Sequence, residues 1–535
     1  MLRADHKFPA GVLALLALLL VWGCGGVAKT PTAQSSVLQQ TFVDVEQWSP
    51  IPTGWDPSIE YSNEISVMTN VYEGLTRYDC RTQKVEPLLA ESYTSAKNGT
   101  EWTFTLRSGV KFHTGRVLTA EAAKEAIDRT IKLKQGASYI WDSVKSIEAK
   151  DSRTLVFHLK YPAAIDLIAS AGYSAWIYDT KAAGGGKLTK WFNRGQDAGT
   201  GPYTVDTYRP GQEVVVTLKA FPEYWGGWKG VHYQRVEFWN VPTPTTTAQL
   251  LRAGQASYAN IVTPQLFASF KKDANLQTVS TPSFESLFAM LNTKRPPLDD
   301  LRVRQAIAYG INYDTLVAVL QSNVEMTSGL IPPGLLGHFD DLPNYTYDSA
   351  KAQTLLTEAG YGPGGKPIHL KLTYITGDNI EAMSAAVMKS SLAPLNIQIA
   401  VQPEAWSVLW DRTRASNPSE RQDIAIYEWW PDYADPYSYF ANMFTTQNPP
   451  YYNATYYSNP KLDSMISKAA KLTGYDRAGA GQLYREIQLT LLHDVPAVVL
   501  PTIVYQRVLA KSVGGFVENP AYPNVAFVYS LTPQP

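Results

Sequence analysis

Cysteine is almost missing from this chain of 535 residues, which carries only Cys24 and Cys80. Two thiols form at most one disulfide, so stability must come from packing. Histidine is also sparse: His6, His113, His158, His232, His338, His369 and His493 never fall at ligand spacing, so no zinc site is implied. An excess of one charge is lacking as well. Lys plus Arg total 47 against 48 Asp plus Glu, with no long like-charge run, which removes the electrostatic case for nucleic acid. Neither a G-x-S-x-G elbow nor an H-E-x-x-H helix occurs. Gly186-Lys187 is followed by Leu188 where a phosphate loop needs Ser or Thr. Gly360, Gly362 and Gly365 match G-x-G-x-x-G, but they follow a helical pattern and lead into a strand pattern, the reverse of a dinucleotide site. They read as a helix stop and a turn. No repeat recurs at solenoid periods.

The one long apolar run lies at the start, MLRADHKFPAGVLALLALLLVWGC. Arg3 and Lys7 precede it, it is too short for a comfortable membrane span, and a polar Thr/Ser/Gln stretch follows it. This pattern predicts a secretory signal peptide over residues 1–23. The order V-W-G-C resembles the bacterial lipoprotein cleavage box, which implies that Cys24 becomes a lipidated N-terminus and that residues 24–40 form a flexible tether. Trp22 departs from that box, where a small residue is usual. Ordinary signal-peptidase cleavage and an uncleaved membrane-anchored helix are the alternatives.

The remainder is long enough for two or three subdomains. Strand alternation recurs at Trp102/Phe104/Leu106, Leu155/Phe157/Leu159, Val214/Val216/Leu218, Ile368/Leu370/Leu372 and Ile397/Ile399/Val401. Helical spacing recurs after Thr119, at Val303/Ala306/Ile307, after Asp348 and at Leu462/Met465/Ile466. Strands and helices interleave, which predicts an α/β fold.

Aromatics are abundant, with 14 Trp, 32 Tyr and 17 Phe, and they crowd into YEWWPDYADPYSYF from Tyr427 to Phe440. The same stretch holds Glu428, Asp432 and Asp435 and two prolines. A buried core rarely tolerates so many carboxylates, and a plain surface rarely spends so many aromatics. A cation taken from water into a closed cleft needs a charge-assisted partner, for which Asp432 is the candidate. Trp429, Trp430 and Tyr433 would then supply apolar walls with polar tips. Alternatively the aromatics are core and the acids sit on a turn, a reading that suits Tyr437, Tyr439 and Phe440, which trail into a helical pattern. A third possibility is a secreted hydrolase using Asp432 and Asp435, but acids three apart on one loop would not straddle a substrate.

Several segments together resemble one family. EPLLAESYTSAKNGTEWTFTLRSGVKFHTGRVLTAE (residues 86–121), VYEGLTRYD before it and GTGPYTVDTYRPGQEVVVTLKAFPEYWGG after it are followed by LNTKRPPLDDLRVRQAIAYGINYDTLV, YDSAKAQTLLTEAGY and YYSNPKLDSMISKAAKLTGYDRAGAGQLYREIQ. In this order they resemble the extracytoplasmic solute-binding proteins of ABC importers, in the oligopeptide/dipeptide/nickel-binding family. Departures stand at Ala123, Ser257 and Asn312, where Asp is common in the family. The resemblance implies a two-lobed periplasmic-binding-protein-like α/β fold of type II, in the large variant with an extra subdomain, joined by hinge strands. It places the first lobe at 41–80, 199–288 and 501–535, the extra subdomain at 81–198 and the second lobe at 289–500.

The resemblance also implies a monomeric, lipid-tethered, extracytoplasmic receptor with no catalytic residue, metal or cofactor. It would capture an oligopeptide and hand it to ABC permease subunits in the membrane. Asp432 matches the carboxylate that holds the peptide α-ammonium. Glu60, Tyr61 and Ser62 match a segment that pairs edge-on with the ligand backbone, a sequence-tolerant mode. Trp406 and Trp410 are cleft walls or one face of an amphipathic helix. An oligosaccharide or another small solute, such as a nickel chelate, opine or haem, is the rival ligand class.

Overall fold

The alternating segments all become strands in the computed structural model, which describes residues 41–47, 54–62, 64–260 and 262–534. The expected signal peptide, Cys24 and the tether lie outside those residues. Helix starts follow local chemistry: Thr119 accepts the Ala122 N–H at 3.2 Å to open Ala120–Leu133, and Asp348 accepts the Lys351 N–H at 2.8 Å to open Ser349–Glu358. Gly360 and Gly362 have φ of +83° and +87°, which an L side chain adopts only under strain, and they follow that second helix as the stop and turn expected; Gly365 has no such φ. Among the described residues no helix is long and apolar enough to cross a membrane.

One eleven-stranded sheet runs through the molecule. Its main strands are β1 (Thr41–Glu46), β2 (Tyr203–Tyr208), β3 (Val214–Ala220), β4 (Arg235–Asn240), β5 (Tyr258–Ala259), β6 (Leu276–Leu291), β7 (Ile368–Ile375), β8 (Ile397–Glu404), β9 (Ile424–Trp429) and β10 (Ala497–Ala510). The order is β8-β7-β9-β6-β10-β5-β1-β4-β3-β2. The long antiparallel pair β6 and β10 joins the two halves. At one end, β5 pairs with Val508 and Leu509 of β10; at the other, β9 pairs with Ser286 to Leu291 of β6. Between those ends the β6/β10 register breaks, from Pro282 to Ser286 and again before Phe288. Such bulges bend a strand and release ladder bonds. The fold is two-lobed, and this pair of strands is its hinge.

Two large cores pack the molecule. Leu287, Val303, Ile307, Leu370, Met388, Ile397 and Ile426 pack the second lobe between its sheet and helices. The other core is continuous from Phe42 and Tyr72 through Trp102, Phe104 and Trp141 to Phe440, Leu462 and Tyr484. A separate four-stranded antiparallel sheet, spanning Ala90–Ser95, Glu101–Leu106, Thr154–Leu159 and Val144–Ala149, carries helix Ala120–Leu133 on one face. Residues of this subdomain therefore share apolar contacts with the helices of 437–494, and the cavity described next opens between them.

Candidate functional site

The aromatic segment begins as strand and ends as helix. Ile424–Trp429 is β9, Pro431 and Pro436 bracket a turn, and Tyr437–Met443 is helical, with Tyr439 and Phe440 buried in the core as their helical pattern suggested. The turn delivers Asp432 to the wall of a cavity of about 850 Å³ lined also by Tyr139, Trp141, Tyr433, Tyr451 and Tyr452. Asp432 is buried, and each of its carboxylate oxygens accepts one tyrosine hydroxyl: Tyr173 at 2.8 Å and Tyr139 at 2.9 Å. Its backbone N–H is held by the Ser438 hydroxyl at 3.1 Å. Burial pushes the Asp432 carboxyl up to about 6, against the opposing pull of the two hydroxyls. An ionised carboxylate has about four acceptor positions, so capacity for a further donor remains.

The other expected residues divide. Tyr433 lines the cavity with Asp432, whereas Trp430 is not among the lining residues. Trp429 packs edge-on against Tyr452, with ring centroids 5.3 Å apart. Trp410 meets the same Tyr452 at 5.2 Å, and Trp406 meets Trp410 at 5.5 Å. Helix Trp406–Thr413 thus buries Trp410 and leaves Trp406 about half exposed and outside the cavity lining. Arg414 lies 4.0 Å over the ring of Tyr451, a cation–π contact to a residue that lines the cavity.

Glu60, Tyr61 and Ser62 do not form an extended edge. The Glu60 N–H donates to the Asp56 carbonyl at 3.0 Å and the Ser62 N–H donates to the Glu64 carboxylate at 3.1 Å. These local acceptors curl the segment into a turn, a preference the sequence pattern of Asp and Glu neighbours did not reveal. Asp56 anchors the turn: it receives both guanidinium arms of Arg129, at 2.8 and 2.5 Å, and the Thr189 hydroxyl at 2.7 Å. Tyr61 is half exposed, with Tyr451 and Arg414 in electrostatic reach. Burial, reinforced by Glu64 and Asp56, pushes Glu60 up to about 7.

Asp432 and Asp435 face different partners. Asp435 accepts the Tyr437 N–H at 2.8 Å and the Tyr484 hydroxyl at 3.3 Å, and it is not among the cavity-lining residues. The two carboxylates are not disposed on either side of one space, as paired acid catalysts need to be. Among the described residues no group of three or more His, Cys, Asp or Glu is arranged to hold a metal ion. The residues that sequence reasoning missed are Tyr139, Tyr173, Tyr452 and Arg414, which reach the site through tertiary contacts that no local signal encodes.

Comparison with known proteins fits this architecture. Residues 84–451 match the family described as bacterial extracellular solute-binding proteins, family 5 Middle. The probable D,D-dipeptide-binding periplasmic protein DdpA of Escherichia coli is 27% identical over 490 residues, covering 90% of this chain and 92% of its own length. The periplasmic binding protein DppA of Helicobacter pylori in complex with the peptide STSA superposes with a TM-score of 0.79 at 21% identity, covering 92% of this chain and 98% of its own. NikA of Brucella suis in complex with Fe(III)-EDTA superposes with a TM-score of 0.80 at 24% identity, covering 92% and 100%. The chain belongs to the bacterial extracellular solute-binding proteins of family 5.

Proposed function

We propose that this solute-binding protein is the capture component of an ABC importer for short peptides. It takes them between its lobes, divided near residues 288 and 500, and delivers them to the membrane permease while a lipid on Cys24 tethers it to the membrane. The observation that carries this reading is the state of Asp432. It is a buried carboxylate on a cavity wall whose partners are two neutral hydroxyls, so its charge is desolvated without a compensating cation. A peptide α-ammonium brings that cation and up to three N–H donors. Two similar proteins, a dipeptide-binding relative and a binding protein in complex with a peptide, support the same ligand class.

An oligosaccharide is the second reading. Tyr139, Tyr161, Tyr433, Tyr451 and Tyr452 give the cavity the flat faces on which sugar rings stack. Thermal unfolding with panels of tripeptides, N-acetylated tripeptides and oligosaccharides separates the two. A ligand at 100 times its dissociation constant adds about 2.7 kcal/mol to the folded state. Free-amine peptides should raise Tm more than their acetylated forms do. Stabilisation by sugars alone would overturn the peptide reading.

A further inference from the structure

Glu428 belongs to the aromatic segment, yet it lines a different cavity from Asp432. This second space, of about 600 Å³, sits at the hinge. Glu285 of β6, Glu428 of β9 and Asp378, the residue that caps helix Asn379–Leu392, all line it. Glu285 is placed there by the register break: the Ser283 hydroxyl accepts the Glu285 N–H at 3.0 Å and donates to the Ile503 carbonyl at 2.7 Å, fixing the bulge. Glu285 and Glu428 face the same space, where burial and the acids around it, Glu285 among them, disfavour ionisation of Glu428. Glu381 is buried beside Asp378, and Asp44 and Glu46 are buried on β1, where Glu46 accepts the side-chain amide N–H of Asn260.

The positive side of this balance is nearly empty. Arg507 is the single Lys or Arg among the described residues lining the cavity, and it is already committed. Its Nε and Nη2 donate to Glu518 at 2.7 and 3.2 Å, and its Nη1 donates to the Asn260 carbonyl at 2.6 Å. An independent feature points the same way. The side-chain amide oxygens of Asn260 and Asn323, both more than nine-tenths buried, line the same cavity and accept no hydrogen bond. Buried acceptors are normally satisfied, and a donor group entering the cavity would satisfy these. Carboxylates beside open amide oxygens suit a cation that brings its own N–H donors, as an alkylammonium or guanidinium does.

We propose that the hinge cavity receives an alkylammonium or guanidinium group through Glu285, Asp378 and Glu428, so that the protein selects ligands bearing a cationic arm. Burial pushes Glu285 up to about 7 and Glu381 up to about 9, and it raises Asp378 and Glu428 in the same direction. Tyr505 and Arg507 are the other titratable groups lining the space. An arriving cation favours the ionised carboxylates, so binding should release protons. The cation arrives either as the side chain of a captured peptide, which rests on the peptide reading above, or as a free alkyl diamine, which does not.

Titration calorimetry of the full chain at neutral pH, in two buffers of different ionisation enthalpy, tests this with three probes: Ala-Lys-Ala, its norleucine analogue and cadaverine. The lysine peptide should bind about tenfold or more tightly than the norleucine peptide, with proton release. The double variant Glu285→Gln/Glu428→Gln should erase that ratio while it still binds the norleucine peptide, which also shows that it has folded. Binding of cadaverine that the double variant loses, with neither peptide bound, would support a free amine as ligand and overturn the peptide reading alone. Equal affinities for the two peptides with no cadaverine binding, no binding of any probe, or a ratio unchanged in the double variant would overturn the cation site. So would stabilisation by Mg²⁺ or Ca²⁺ that the double variant abolishes, because that would assign the acids to a metal.

Discussion

Tyr173 donates its hydroxyl to Asp432 at 2.8 Å, across 259 positions of sequence. With Tyr139 as the second donor, this bond ties the subdomain that carries helix Ala120–Leu133 to the turn that ends β9. The Asp432 carboxylate is therefore oriented before any ligand arrives, and preorganisation of this kind lowers the ordering cost of binding.

Removing both donors should be costly for binding. In Tyr139→Phe/Tyr173→Phe the carboxylate stays buried with neither hydroxyl, and a hydrogen bond to a charged group contributes about 1.5–3 kcal/mol. Peptide affinity should fall at least about tenfold. Small-angle scattering of the ligand-free variant should give a larger radius of gyration than wild type, because two hydrogen bonds between segments far apart in the chain are gone. An unchanged radius and affinity would mean that the hydroxyls only fill space.

Stability should depend on pH in a stated direction. Asp432 and Asp435 are pushed up to about 6, and Glu46, Glu60 and Glu285 up to about 7, in each case first by burial. A carboxyl raised in the folded state contributes stability that is full below its unfolded value, near 4, and is lost as pH rises through the folded value. His113 adds to the trend: Asp197 outweighs its burial and raises it, so its contribution is also lost as pH rises. The Tm of the ligand-free protein should fall steadily from about pH 5 to pH 8. A Tm that rises over that interval would contradict the assignments. Free-amine ligands should bind more weakly below pH 6, where Asp432 is protonated.

The anchor of the turn carrying Glu60 to Ser62 can be tested on its own. Asp56→Ala leaves Arg129 without its carboxylate in a largely buried setting, and breaking such a pair costs about 3–5 kcal/mol. Chemical denaturation should show that loss. A change below about 1 kcal/mol would place the pair with exposed ion pairs, which contribute little.

The tether rests on the sequence alone. Cys24→Ala should move the protein from the membrane fraction to the soluble fraction, since each buried CH₂ of a lipid contributes about 0.8 kcal/mol to anchoring. Wild type found wholly soluble would refute lipidation.

What could be read in advance was local. Thr119 and Asp348 announce helix starts because capping involves neighbours three residues apart, and alternation at Ile368 to Leu372 announces a strand because one face is buried. Asp432 was legible for the same reason, as an acid set among aromatics in one short segment. Tyr139 and Tyr173 were not, since their role exists only when distant segments meet. Glu285 was hidden more deeply: it occupies a buried strand at a register break, where an alternating pattern gives no reason to expect an acid. For Glu60 to Ser62, the bonds to Asp56 and Glu64 that hold the segment belong to no pattern visible in the sequence. Trp406 shows the limit of composition, because the helix turns Trp410 inward and leaves Trp406 half exposed.

The most direct test of the peptide reading is calorimetric titration of Asp432→Asn with one tripeptide, with a free and with an acetylated N-terminus. The substitution keeps the shape and removes the charge. Loss of a hydrogen bond between charged groups, about 1.5–3 kcal/mol, predicts about tenfold to a hundredfold weaker binding of the free-amine peptide. The acetylated peptide should bind variant and wild type equally, since it brings no cation. Wild-type affinity of Asp432→Asn for the free-amine peptide would contradict the account.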